Sequence, residues 1–274
     1  MPFVTLSQHH IYYETSGYPD SPPLLILSGL TDYSAKTAWQ SRDLSKDFYV
    51  ITFDNRGAGR SSISSYDYTI ADLADDAAAV LDALSIPVAD VFGFSLGGMT
   101  ALHLALNYPM RLRRLVLGCT SAGGTLSVYP DEQVMLSLTQ PSRSGDRRQD
   151  FLDGIWVSVS DRCMSEQPEV VDALADIAIA NPQTPESYQA QIKAVFTHDV
   201  SGRLGELQLP TLVMHGVEDR LIPAENGKYL AENIPGAKLI LYPEAGHLFF
   251  IEKAGEVNGA IRDFLLDAGK FPQF

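Results

Sequence analysis

Cysteine is nearly absent from this chain. Its 274 residues include two, Cys119 and Cys163. They form no Cys-x-x-Cys pair, which argues against a disulfide framework or a thiolate zinc site and leaves two buried free thiols as the expectation. Positive charge is also short: 20 Lys and Arg stand against 34 Asp and Glu, a formal net charge of −14. A surface of that sign repels a phosphate backbone, so nucleic acid is not an expected partner. Long hydrophobic runs are missing, and stretches such as Leu24–Leu27 (LLIL) fall far below the roughly 20 residues that span a bilayer. The opening "MPFVTLSQHHIYYE" has no basic n-region and no apolar h-region. A signal peptide is therefore not expected, no membrane partner is expected, and the reading is cytoplasmic. No Walker sequence, His-Glu-x-x-His or calcium loop occurs. "DNRGAGRSS" contains Gly-x-Gly but lacks the third glycine and the ribose-binding acid of a dinucleotide site. No metal and no cofactor are expected, and Asp54, Arg56 and Arg60 read as a structural turn with internal ion pairs. No internal repeat or low-complexity tract is found.

What the chain does contain is an alternation. Short apolar runs at Pro23–Gly29, Phe48–Asp54, Asp90–Ser95, Arg114–Cys119, Thr211–Gly216 and Lys238–Pro243 read as buried parallel strands. "FVTL" and "IYYET" read as an antiparallel pair leading in. Helical patterns lie between the runs, at Thr69–Ile86, Leu96–Pro109, Ala224–Pro235 and Gly255–Ala268. The expected fold class is α/β, a doubly wound and mostly parallel sheet. From Ser121 to Leu207 the alternation gives way to helical, proline-punctuated sequence. Residues 1–120 and 208–274 are therefore expected to form the core and residues 121–207 an inserted helical cap.

The chemistry centres on "GFSLG", where Ser95 lies between Gly93 and Gly97. A Gly-x-Ser-x-Gly after a strand and before a helix is a nucleophile elbow: glycines two residues either side let strand and helix approach, and the hydroxyl stands at a helix N-terminus. Such a hydroxyl needs a base, and the base an orienting acid. Asp219 just past one strand and His247 just past the next supply both in the order Ser, acid, His, at the ends where a doubly wound sheet builds its site. Glu218 is the rival acid. His215 reads as structural, Glu244 as a turn residue, and His9 and His10 as surface. His103 lies two helical turns from Ser95, too far to act as its base. His198, inside the insertion, is a candidate to face the pocket.

Five pieces in order, "LSGLTD", "FDNRGAGRSS", "GFSLGG", "LVMHGVEDRLIP" and "EAGHLFFIEK", resemble the α/β-hydrolase-fold serine hydrolases over essentially the whole chain. The resemblance implies Ser95 as nucleophile, His247 as base and Asp219 as acid, with the backbone N–H groups of Leu30 and Leu96 as the oxyanion hole. Many relatives carry a histidine immediately before the oxyanion glycine; this chain has Ser28. The elbow serine argues against the dehalogenase and epoxide-hydrolase branches, which use aspartate there. "SGLTD" departs from the "HGGPG" loop of proline iminopeptidases, and "DNRG" from the "DSPG" of carbon–carbon hydrolases. What remains resembles 3-oxoadipate enol-lactonases, methylesterases and small carboxylesterases. The expected activity is hydrolysis of a small-molecule ester or lactone through an acyl-enzyme. The alternatives are carbon–carbon bond hydrolysis or acyl transfer on the same triad, or a non-turnover receptor. Gly29, Trp156 and Leu248 are candidate substrate contacts, with Phe151, Met164 and Phe196 as further candidate pocket walls.

Overall fold

The computed structural model describes residues 2–6, 9–63, 67–139 and 144–267; the last residues of the expected core, 268–274, and the final residue of the last expected helix, Ala268, lie outside the described residues. In chain order the first half runs β1 (Phe3–Thr5), β2 (His10–Ser16), β3 (Pro23–Leu27), α1 (Ala38–Leu44), β4 (Tyr49–Phe53), α2 (Ile70–Ala83), β5 (Ala89–Phe94), α3 (Leu96–Asn107) and β6 (Leu112–Gly118). Five helices follow: α4 (Glu132–Thr139), α5 (Arg147–Gly154), α6 (Asp161–Glu166), α7 (Pro168–Ala180) and α8 (Pro185–Phe196). The chain then returns through β7 (Thr211–Gly216), α9 (Glu225–Asn233), β8 (Lys238–Tyr242), α10 (Phe249–Glu252) and α11 (Ala254–Leu266).

One eight-stranded sheet orders the strands β1-β2-β4-β3-β5-β6-β7-β8. β1 and β2 pair antiparallel, β2 joins β4 antiparallel, and every pairing from β4 to β8 is parallel. β3, β5, β6 and β7 are almost fully buried, because helices cover both faces and leave no solvated side to demand polar alternation. Two apolar clusters fill the layers, one holding Leu25, Val91, Leu115 and Ala101, the other Phe92, Phe94, Met214 and Phe250. α2 shows how local chemistry sets an element. Thr69 accepts from the Asp72 N–H while the Asp72 carboxylate accepts from Thr69, a reciprocal cap that starts the helix. Ile70, Leu73, Ala77, Val80 and Leu81 then turn inward.

The chain passes from β3 to β4 on one side and to β5 on the other. Ligands of open α/β sheets bind at such a reversal, beyond the carboxyl ends of the strands. The 121–207 segment starts and ends at one place: Val200 N–H donates to Ala122 O at 2.8 Å, and Gly123 bridges Asp199. No helix among the described residues is long and apolar enough to cross a membrane.

Candidate active site

Ser95 occupies the turn between β5 and α3 with φ 56° and ψ −125°, a conformation that costs a non-glycine residue about 1–3 kcal/mol and persists only where the surroundings enforce it. Three contacts enforce it here. Ser95 N–H donates to Gly118 O on β6 at 2.9 Å, its carbonyl accepts from Gly98 N–H at 2.9 Å, and Thr120 Oγ1 donates to the same carbonyl at 2.8 Å. The flanking glycines are demanded by packing. A Cβ on Gly97 would stand 2.0 Å from Leu27 O, and one on Gly93 would stand 2.3 Å from Gly97 O.

Asp219 and His247 come from the loops after β7 and β8. Asp219 Oδ2 lies 2.8 Å from His247 Nδ1. A carboxylate only accepts, so Nδ1 carries the proton and Nε2 is left with its lone pair. Asp219 Oδ1 accepts from the N–H groups of Leu221 and Ile222 at 2.9 and 2.8 Å. Burial alone would raise this carboxyl; His247 and His215 outweigh it and hold it down at about 2. His215 does more than the structural part expected of it. It is fully buried, and its Nε2 lies 2.7 Å from Ile222 O and 3.1 Å from Asp219 Oδ2. Both are acceptors, so it donates into the acid loop. Glu218, the rival acid, is half-buried with its N–H on Ala245 O, and it is Asp219 that meets the histidine.

Ser95 and His247 open onto one cavity of about 280 Å³. Leu30, Leu96, Leu248, Phe151 and Phe196 line it, with Met99, Val157 and Tyr188. Gly29 lies beneath the lining: a Cβ on it would stand 3.3 Å from Ser95 Cβ. Trp156, a candidate substrate contact, packs against Arg220. It is not among the lining residues; Arg220 donates to its carbonyl at 2.8 Å and sits over its ring, while its neighbours Ile155, Val157 and Ser158 reach the cavity. Met164 is likewise away from the cavity and 40% exposed. His198 does not line it either, being buried against His103, with Nδ1 3.2 Å from His103 Nε2. His9, expected at the surface, is buried 3.0 Å from Asp76. Arg56 pairs with that same Asp76 rather than with Asp54, which holds Arg60.

Four residues that sequence reasoning passed over shape the site. Lys36 and Asp32 form an ion pair of 2.6 Å on the cavity wall. Glu252, on α10, accepts from Gly246 N–H at 3.0 Å and from the Ser160 hydroxyl at 2.5 Å, tying the His247 loop to the insertion. Gln191, on α8, accepts from Thr31 N–H beside Leu30. Asp32 and Glu252 stand within "LSGLTD" and "EAGHLFFIEK", where nothing local marks their partners, and Lys36 and Gln191 belong to no local motif; their charges and amide were the signal available. Cys119 lies against Asp219 and His247, its sulfur within 4.8 Å of a side-chain donor atom of each. Burial first, and Asp219 second, push this thiol well above its usual range, so it stays protonated. Both cysteines are free and buried.

A family profile described as "alpha/beta hydrolase fold" matches residues 22–254. The chain belongs to the α/β-hydrolase-fold family. It is an enzyme of that class, an α/β-hydrolase with a mostly parallel sheet flanked by helices. Its relatives include a protein provisionally named carbamate hydrolase RutD from Variovorax paradoxus (strain S110), 30% identical over 93% of this chain and 96% of that protein. Another is the "Poly(3-hydroxyalkanoate) depolymerase" of Ectopseudomonas oleovorans, 32% identical over 91% of this chain and 86% of that one. Among solved structures, the enol-lactonase from Burkholderia xenovorans LB400 superposes with a TM-score of 0.85 at 25% identity, covering 97% of this chain and 100% of that chain.

Proposed function

We propose that this α/β-hydrolase cleaves an uncharged carboxylic ester or lactone with an apolar acyl portion, through an acyl-enzyme on Ser95. One observation carries the reading: a serine in an enforced elbow and a histidine oriented by a buried carboxylate face the same apolar cavity. Ser95 Oγ attacks the carbonyl carbon and its proton passes to His247 Nε2. The negative oxygen is received by the N–H groups of Leu30 and Leu96, the latter at the start of α3. The C–O bond then breaks, His247 returns the proton to the leaving oxygen, and water attacks the acyl-enzyme with His247 as base. Asp219, accepting from His247, stabilises the imidazolium that forms. The relatives carry the names carbamate hydrolase (given provisionally), poly(3-hydroxyalkanoate) depolymerase and enol-lactonase. In this chain the lining favours an alkyl chain over a small polar group.

The test is turnover of aryl esters by wild type and Ser95→Ala. Wild type is expected to release phenol through many cycles with a pre-steady-state burst, which a receptor would not show. Ser95→Ala is expected to lose roughly 10⁶ in rate with its fold intact. Activity of that variant within tenfold of wild type refutes the nucleophile.

A further inference from the structure

The loop that bears Leu30 contains a conformation its sequence does not favour. Gly29, Leu30, Thr31 and Asp32 form a turn closed by Asp32 N–H donating to Gly29 O at 3.3 Å. Thr31, its third residue, has φ 63°, while Leu30 is not among the positive-φ residues. That is the pattern type II turns reserve for glycine or asparagine, and a β-branched residue is poorly suited to it. Rotating the Leu30–Thr31 peptide by half a turn would give the type I form, with Thr31 at an ordinary negative φ. Something therefore holds the less favourable form.

The holder is a buried amide. Gln191 of α8 is fully buried, and its Oε1 accepts from Thr31 N–H at 2.9 Å. Its Nε2 lies 3.5 Å from Arg56 O, which also receives the Tyr68 hydroxyl at 3.4 Å. This second contact tells the amide which way to face: nitrogen toward Arg56 O, oxygen toward Thr31. The flipped turn would withdraw the N–H and present Leu30 O to Gln191 Oε1, setting two acceptors against each other in a buried place. α8 is itself seated on the core, since a Cβ on Gly57 would stand 2.9 Å from Ser187 Oγ and Gln183 Nε2 donates to Gly57 O at 3.2 Å.

We infer that Gln191 is a positioning residue: from the inserted helices it locks the turn that aims the Leu30 N–H, so the oxyanion site is complete only while α8 is docked. This rests on the serine-hydrolase reading above. Leu30 stands between two peptides. The one before it carries the N–H that would receive the oxyanion, and the one after it is the peptide Gln191 holds. Strain at Thr31 makes the turn two-state, and the buried amide selects the state.

The experiment measures kcat and KM of Gln191→Met on a short and a long acyl aryl ester, beside Gln191→Glu and Ser95→Ala. Loss of one oxyanion donor costs about 10²–10³ in kcat, and loosening its turn is expected to remove roughly 10- to 100-fold, equally on both esters, with KM little changed. Gln191→Glu keeps an acceptor for Thr31 N–H but sets its second oxygen against Arg56 O, so it is expected to recover only part of that loss. In a Thr31→Gly background, where the turn needs no holding, Gln191→Met is expected to lower kcat far less than in wild type. Should Gln191→Met not fold, Gln191→Asn, which withdraws the acceptor by one methylene, gives the same measurement. Unchanged kcat in the folded variant, with only thermal stability lowered, overturns the inference. So does a loss confined to one ester, or a full loss that persists in the Thr31→Gly background. Ser95→Ala separates the layers: if it is inactive while Gln191→Met is fully active, this inference alone falls, whereas an active Ser95→Ala removes the reading beneath it.

Discussion

Asp219 has its acceptor capacity committed. Two backbone N–H groups take one oxygen and two imidazoles take the other. That accounts for a carboxyl held at about 2 although fully buried. The stabilisation it provides is complete above the ordinary carboxyl range and is lost only as pH falls through about 2. Asp219→Asn is expected to lower kcat roughly 10⁴-fold by disordering the histidine tautomer, whereas Glu218→Gln is expected to stay within a few-fold. Steady-state kinetics of the pair decides it, and a worse Glu218 variant would reassign the acid. Lys36 is the second residue-scale case. Its ammonium pairs with Asp32 Oδ1, and the other oxygen of that carboxylate would lie 2.9 Å from a Cβ on Gly29, beside Ser95. Lys36→Met would leave a buried carboxylate unpaired close to where negative charge develops, an interaction of roughly 2–4 kcal/mol at an effective dielectric near 20. A fall of at least roughly tenfold in kcat is expected, most of it restored when Asp32→Asn is added. No restoration in the double variant would give Lys36 a role independent of that charge.

At the scale of elements, the segment between β6 and β7 meets the loops of the site at several points. Leu248 N–H donates to Ser158 O at 2.8 Å, Glu252 joins the His247 loop to Ser160, and α8 reaches the Leu30 turn. What it adds to the cavity wall is local. Phe151 on α5 lines the cavity, and Trp156 packs on Arg220 instead. A lost methylene contact changes discrimination by about 1–3 kcal/mol. Phe151→Ala is therefore expected to lower kcat/KM for long acyl esters relative to acetyl esters by at least tenfold, while Trp156→Ala leaves that ratio unchanged. The ratio of the two specificity constants, variant against wild type, is the measurement. A shifted ratio in Trp156→Ala would return that ring to the pocket.

For the whole molecule, the contact between α3 and the segment after α8 carries an acid-sensitive pair. His198 Nε2 donates to Ser121 O at 3.2 Å, so in the neutral ring Nδ1 accepts from His103 on α3. Burial first and His103 second bring His198 down to about 4, and burial also lowers His103. Because the unfolded chain binds protons on these rings near pH 6.5 and the folded chain resists them, stability is full above about 6.5 and declines as pH falls toward about 4. The decline from His198 is expected to reach up to about 3 kcal/mol. Chemical denaturation of wild type and His198→Gln at a series of pH values measures it. An equal slope in the variant would place the acid sensitivity elsewhere.

Periodicity and short-range chemistry were sufficient for a good part of this protein. The apolar runs located six parallel strands to within one or two residues, because strands covered on both faces need continuous hydrophobicity. The glycines around Ser95 marked the elbow, because there strand and helix backbones approach within a Cβ's reach. Asp219 and His247 were legible because strand ends are legible, and the sheet places strand ends together. Contacts between distant segments were not legible. Glu252 on Ser160 and Gln191 beneath Thr31 each depend on how helices outside the sheet pattern are laid across it, whereas Lys36 with Asp32 and His215 with Asp219 are four residues apart and were hidden only because no periodic pattern marks them. α1 and α10 were missed for the same reason, since they are short and their burial is decided by neighbours far along the chain. Within the insertion, one residue of helical phase separates a side chain that lines the cavity from one that packs behind it. Composition puts Trp156 and Val157 on equal terms, and only the docked backbone sends Val157 inward and Trp156 to Arg220.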